Sequence, residues 1–258
     1  MKVAVIIPTI DRAELDEALA SLHAQSRAPD EIIVEHDPDE RGAAATRNAA
    51  ARRTQADVLL FMDDDCVAAP NWVERMCAVF EEGGAAITAV SDAVIYRDSP
   101  ENPAERAVQN PDARWFMGAN CGVRRAAFWK LGGFPEKYQV YEDKAFALAC
   151  WMKGYGVARA PTAAVYHAPS FWNARLAKKF ATHLSWWAEL VRDYDVWADL
   201  NNPPPIWARH IVMPRDFLSF LKNFARVHDG AARLRARLLA RQRLELWKRA
   251  IRNKMFLI

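Results

Sequence analysis

A Rossmann-like α/β fold, with a mostly parallel sheet flanked by helices, is what the sequence predicts for residues 1–170, followed by a helical extension. Three observations carry this. Short, wholly apolar runs of strand length alternate with helical segments. Turn and cap residues fall between them. Beyond Ser170 the hydrophobic spacing becomes helical.

Val3–Ile7 is continuously apolar, which suits a strand covered on both faces; Pro8 and Thr9 break it. No small-residue cleavage site follows the run, so it reads as a strand and not as a leader. Asp11 looks like an N-cap, with Glu14 completing a capping box. Leu15, Ala18, Leu19 and Leu22 give the helix its apolar face. Glu31–Glu35 is a second strand, and the alanine-rich 43–53 stretch a second helix. Val58–Met62 is a third buried strand, ended by Asp63, Asp64 and Asp65. Pro70 opens a helix through about Phe80. Ile87–Tyr96 supplies one or two strands, and Arg97–Arg114, with Pro100, Pro103 and Pro111, reads as a long loop. Met117–Val123 is a strand, Arg125–Leu131 a short helix stopped by Gly132 and Gly133, Glu142–Lys153 a helix, and Val157–Tyr166 extended up to His167. Strand–helix–strand order at these lengths means crossover units.

The chain has 258 residues, 52% hydrophobic and 26% charged, a globular composition that excludes wholesale disorder. Cys66, Cys77, Cys121 and Cys150 form no CxxC pair, which argues against a disulfide scaffold or cysteine zinc site and for reduced thiols in a cytoplasmic protein. No apolar stretch approaches the roughly 20 residues of a membrane helix. The net charge of +3 hides a split: residues 1–170 hold 18 Lys and Arg against 25 Asp and Glu, whereas 171–258 hold 17 against 7. Six of the ten tryptophans fall in that basic part.

The acidic triplet is the strongest local signal. Charged groups at the carboxyl end of a sheet strand sit where open α/β folds bind ligands. In an extended chain Asp63 and Asp65 point the same way, and a hard divalent cation takes such oxygens. The triplet equally suits a solvated turn or an N-cap cluster. Glu142 and Asp143 open a helix, where acids complement the dipole or serve as general bases. Trp115 suits a sugar platform or the core. Asn120 suits a substrate contact or a turn cap. His167 suits a structural place, or a metal or phosphate contact.

The ordered blocks shift this balance. Val5–Arg12, Glu31–Val34, Ala45–Asn48, Leu60–Asp65, Gly118–Asn120, Gly132–Glu136, Glu142-Asp143 and Pro161 to His167 together resemble the family 2 glycosyltransferases, which have the GT-A fold. The resemblance covers residues 3–168. It implies a catalytic domain over 1–170, with a nucleotide-sugar half to about 97 and an acceptor half from about 98. Pro8, Thr9, Asp11, Asp37, Arg47, Asp63 and Asp64 would meet the nucleotide, with His36 departing from the family's usual aspartate. Asp65, Asp63 and His167 would hold Mn²⁺ or Mg²⁺. Asp143, next to Glu142, would be the base, and Asn120 and Trp115 would lie on the acceptor side. The donor expected is a UDP- or dTDP-linked sugar, transferred with inversion.

A metal withdraws charge from a departing diphosphate, and a carboxylate takes the acceptor proton. A nucleotidyltransferase is the competing enzyme class, but Pro8–Arg12 lacks the glycine-rich phosphate loop of such enzymes. A degenerate fold acting as a membrane-surface scaffold is the non-catalytic alternative. Residues 171–258 read as a basic, Trp-rich helical extension suited to an anionic membrane surface, to the acidic face of the domain, or to a second subunit in a homo-oligomer. The acceptor expected is a carbohydrate or a lipid-linked hydroxyl, met at the inner membrane face. No nucleic-acid motif accompanies the charge.

Overall fold

The computed structural model describes residues 1–97, 105–106, 110–111, 116–171, 189–190 and 193. The chain divides into two compact units, 1–99 with 107–169 and 100–106 with 170–258. The first unit carries the expected α/β architecture. Its strands are β1 (Val3–Thr9), β2 (Glu31–His36), β3 (Val58–Met62), β4 (Cys66–Ala68), β5 (Ile87–Ser91), β6 (Val94–Tyr96), β8 (Asn120–Arg124), β9 (Gly156–Arg159) and β10 (Val165–His167). Its helices are α1 (Leu15–His23), α2 (Ala43–Ala51), α3 (Trp72–Glu82), α4 (Arg125–Lys130) and α5 (Glu142–Met152). In the second unit, Glu105–Arg106 (β7) pairs antiparallel with Ser170–Phe171 (β11). Part of the expected 97–114 loop is therefore a strand; its sequence of two polar residues carried no strand signal. The helices expected beyond 171 and Trp115 lie outside the described residues, apart from helical positions at 189, 190 and 193.

The main sheet runs β2-β1-β3-β8-β5-β9. The β1–β2, β1–β3 and β5–β9 pairs are parallel, and β8 is antiparallel to both neighbours. A smaller sheet, β4-β10-β6, stands beside it. Alternation along β1 explains its unbroken apolar run. Val3, Val5 and Ile7 enter one core with Leu22, Trp72, Met76 and Phe80 from α1 and α3. Ala4 and Ile6 enter the other, with Ala50 from α2, Phe128 from α4, Phe134 from the loop after it and Phe146 from α5. Both faces are thus covered. β1 tolerates Pro8 because its pairing with β3 ends at Ile6, and only β2 continues alongside, to Thr9 opposite His36.

Two local expectations are corrected. Asp11 does not cap α1. It lies in the left-handed region at φ 62°, and α1 starts at Leu15 with Glu14 as N-cap and no side-chain cap bond. The acidic triplet is not extended either. The backbone turns after Asp63, whose carbonyl accepts from Cys66 N at 3.2 Å, so the three carboxylates leave in different directions. Among the described residues no helix is long and apolar enough to cross a membrane.

Candidate active site

The acidic turn closes β3 where β1, the start of α1 and β10 converge. Asp64 is buried; it accepts from the Thr9 hydroxyl at 2.7 Å and faces Arg12 Nε at 3.5 Å. Thr9 Oγ1 in turn accepts from Asp11 N at 2.9 Å, so this hydroxyl ties the loop after β1 to the turn. Burial lifts the Asp64 carboxyl above its usual range, against the pull of Thr9 and Arg12.

Asp65 is also buried, with one oxygen, Oδ2, on Arg12 Nη1. Its other oxygen, Oδ1, is buried, has no hydrogen-bond partner, and faces His167 Nε2 at 3.2 Å. The register explains the approach: β10 lies antiparallel to β4 with His167 opposite Cys66, and Ala168 N donates to the Asp65 carbonyl at 2.7 Å. His167 Nδ1 lies 2.7 Å from the Ala168 carbonyl oxygen. A carbonyl only accepts, so this contact places a ring proton on Nδ1, and in the neutral ring Nε2 carries a lone pair. In that form two lone pairs face each other across 3.2 Å in a buried corner, whereas an imidazolium would pair with the Asp65 carboxylate.

A cation between them resolves that opposition, and a backbone carbonyl orienting the far ring nitrogen is the usual support of a metal-bound histidine. Asp65 and His167 thus fit a divalent metal. The Cys66 sulfur lies close by, the three donor atoms all being within 4.8 Å of one another. Burial raises the Asp65 carboxyl above its ordinary value, against the attraction of His167, a penalty that a metal cation would remove.

Asp63 faces the other way. It accepts from Arg47 Nη2 at 2.5 Å, while Arg47 Nη1 donates to Glu142 Oε1 at 2.8 Å. Arg47 was expected to approach the nucleotide. It lies 3% exposed inside the unit, as a strut from α2 between the acidic turn and the start of α5. Burial opposes its charge, but Asp63 and Glu142 outweigh that and raise its pKa further. For Asp63, burial is the largest influence and pushes up, but Arg47, His167 and Arg12 together pull down further, leaving the carboxyl below its usual range. Gly118 makes room for the strut, since a Cβ there would stand 2.9 Å from the guanidinium.

Asp143 follows Glu142 on α5. Its Oδ2 accepts from Gly118 N at 2.9 Å, and its Oδ1 from Lys144 N at 2.7 Å. Tyr141, immediately before the pair, is held at φ 71°, a costly conformation for an aromatic residue. Its ring faces Lys144 Nζ at 5.4 Å.

Three of the sequence's candidates serve the scaffold. Asp37 caps the loop into α2, with Arg41 N on Oδ1 and Gly42 N on Oδ2, each at 2.9 Å. Burial works against its ionisation, but these donors hold the carboxyl below its usual range. Pro8 lies within β1 as backbone. Asn120 is wholly buried; its amide accepts from Trp72 Nε1 and donates to the Ala93 and Ala163 carbonyls, each at 2.8 Å. An acceptor-side role for Asn120 is therefore corrected to that of an internal pin. Asn120→Ala strands three buried partners at about 1–3 kcal/mol each. It is expected to lower the unfolding midpoint strongly while leaving the KM of whatever substrate the protein takes unchanged; a shifted KM at native stability would contradict this.

His36 and Asp11 form an exposed pair, Nδ1 to Oδ1 at 2.7 Å. Sequence reasoning gave no role to Arg12, Gly118 or Tyr141. Arg12 and Gly118 stood inside the quoted blocks, but Arg12 meets Asp65 53 positions away and Gly118 meets Asp143 25 positions away, and Tyr141 offers no signal beyond preceding the acidic pair.

The sequence model described as Glycosyl transferase family 2 matches residues 32–148. An uncharacterized glycosyltransferase of Haemophilus influenzae is 25% identical over 56% of this chain and 60% of its own length. A validoxylamine A glucosyltransferase of Streptomyces hygroscopicus subsp. limoneus is 24% identical over 60% of this chain and 48% of its own. The chain thus spans about half to three fifths of the length of the curated relatives it matches. Among solved structures, the mannosyltransferase PcManGT from Pyrobaculum calidifontis, in complex with GDP-Man and Mn²⁺, superposes with a TM-score of 0.58 at 18% identity, covering 98% of this chain and 87% of that one. The fold is GT-A.

Proposed function

We propose that this chain, whose residues 32–148 match the Glycosyl transferase family 2 model, moves a sugar from a nucleoside-diphosphate donor to an acceptor hydroxyl, inverting the anomeric carbon. The observation that carries this is the corner formed by Asp65 Oδ1 and His167 Nε2 at the end of β3, strutted by Arg47 to the helix that bears Asp143. One carboxylate and one imidazole form a mixed oxygen–nitrogen set, which suits Mn²⁺ better than the all-oxygen preference of Mg²⁺. Bound there, the ion supplies Lewis-acid stabilisation of the departing diphosphate.

The chain's own groups do the rest. Asp143, aimed by the Gly118 amide, takes the proton of the attacking hydroxyl. Arg47 holds Glu142 and Asp63 in place. Thr9 holds the loop after β1 against Asp64. The base of the donor, a pyrimidine in UDP or dTDP, meets Asp11 and His36, the exposed polar pair at the sheet's carboxyl end. Asp37, whose oxygens are taken by the loop, orders that edge from behind. The acceptor is a carbohydrate or lipid-linked hydroxyl, approached at the cytoplasmic face of an anionic membrane through the basic residues of 171–258.

The test is nucleoside-diphosphate release from UDP-, dTDP- and GDP-sugars with Mn²⁺, Mg²⁺ or chelator. Release that needs Mn²⁺ and is lost in Asp65→Asn and His167→Ala is the expected result. Metal-independent release, or release unchanged in both variants, refutes the metal corner. Formation of nucleoside triphosphate and sugar 1-phosphate from the same donors when pyrophosphate is added would instead indicate a nucleotidyltransferase.

A further inference from the structure

We propose that Arg12 is the resident counter-cation of the acidic turn: it occupies the Asp65 carboxylate in competition with a divalent ion and, once displaced, turns onto the donor's diphosphate. The inference rests on the reading of Asp65 and His167 as the ion-binding corner.

The guanidinium spans both buried carboxylates, with Nη1 on Asp65 Oδ2 and Nε facing Asp64 Oδ1 at 3.5 Å. Yet the Arg12 side chain is 41% exposed, whereas those of Asp64 and Asp65 are 6% and 8% exposed. A cation from the rim thus caps an anionic recess. Its backbone lies outside α1, which begins at Leu15 without a side-chain cap. The preceding residue, Asp11, has its carboxylate turned away to His36. The Arg12 carbonyl accepts from Leu15 N at 3.3 Å, while its guanidinium is held by the two carboxylates.

The recess contains three carboxylates and one imidazole. Arg47 neutralises Asp63 on one side; Arg12 is the cation that Asp64 and Asp65 share. A divalent ion taken up at Asp65 Oδ1 and His167 Nε2 would share its carboxylate with the guanidinium. Like charges on one carboxylate repel steeply at such short range. Ion entry therefore weakens Arg12's hold, and the freed fork stays at the rim of the same corner. There it matches the paired oxygens of a phosphate better than a lysine would. Ion and donor then bind in a linked way: Arg12 opposes the ion alone and favours the ion together with a diphosphate.

Mn²⁺ binding to the full chain, followed by electron paramagnetic resonance of the free ion, tests this without turnover. Without nucleotide, Arg12→Gln is expected to bind Mn²⁺ at least about tenfold more tightly than the parent, one charge–charge contact having been removed. At saturating Mn²⁺ the same variant is expected to bind UDP or GDP about tenfold more weakly, having lost a charged phosphate donor. Arg12→Lys, which keeps the charge without the fork, should retain the weak ion affinity and show part of the nucleotide loss. Unfolding midpoints verify that each variant is folded. Unchanged or weaker Mn²⁺ binding in Arg12→Gln, with binding still abolished by Asp65→Asn, overturns the inference alone. Mn²⁺ binding that survives Asp65→Asn, or no binding in any variant, overturns the ion corner and this inference with it.

Discussion

Replacing Asp143 by asparagine is expected to lower the turnover of sugar transfer by about 10²–10⁴-fold, the range for loss of a general base, with the donor's KM little changed. The asparagine side chain keeps an oxygen that can accept from Gly118 N, the contact that aims the carboxylate at 2.9 Å. The variant thus removes proton acceptance while retaining the anchor, and its unfolding midpoint should stay near that of the parent. Glu142→Gln separates the two acids. Glu142 is paired to Arg47 at 2.8 Å, so its amide removes half of the counter-charge of a buried guanidinium and should reduce stability. Initial rates for both variants, with unfolding curves beside them, decide the assignment. Asp143→Asn at more than half of parental turnover would transfer the base elsewhere, as would a loss carried wholly by KM.

Much of the scaffold was legible because its cause is local. Unbroken apolar runs such as Val58–Met62 form strands wherever both faces are covered, and Gly132 and Gly133 stop α4 at φ 90° and 75°. The site was legible as a set of blocks, not as a set of roles. Asp37 and Asn120 looked like ligand contacts, but the partners that engage them are backbone amides, backbone carbonyls and a tryptophan N–H, none of which a one-dimensional pattern reveals. The triplet suits either an extended end or a turn, and the turn after Asp63 sends its carboxylates to Arg47, to Thr9 and to Arg12 with His167. Arg47 became a strut because Glu142 lies 95 residues away, a separation that only the folded topology closes.

Arg47→Met is expected to be the most destabilising of these substitutions, because it removes the one cation shared by Asp63 and Glu142 while filling much of its volume. Breaking a buried ion pair on one side costs about 3–5 kcal/mol, since the remaining charge loses its counter-ion; here two carboxylates lose the guanidinium they share. The pH dependence gives the mechanism a signature. In the parent, Arg47, with His167 and Arg12, holds the Asp63 carboxyl below its ordinary value against burial. A depressed carboxyl contributes stability above its unfolded pKa and loses it as pH falls through the folded one. In Arg47→Met the same carboxyl keeps its burial and loses its cation, so its folded pKa rises, and protonation on acidification relieves the variant. The stability gap between parent and variant should therefore be widest near neutral pH and narrow towards about pH 4–5, where carboxylates begin to protonate. Adding Asp63→Asn and Glu142→Gln to Arg47→Met should recover part of the loss at neutral pH, because the triple variant leaves no buried charge unpaired. Denaturant unfolding across that pH range measures both effects. A gap that stays constant with pH would mean that Arg47 stabilises through packing on Phe134, whose ring centre lies 5.7 Å from its guanidinium carbon, and not through the two carboxylates it joins.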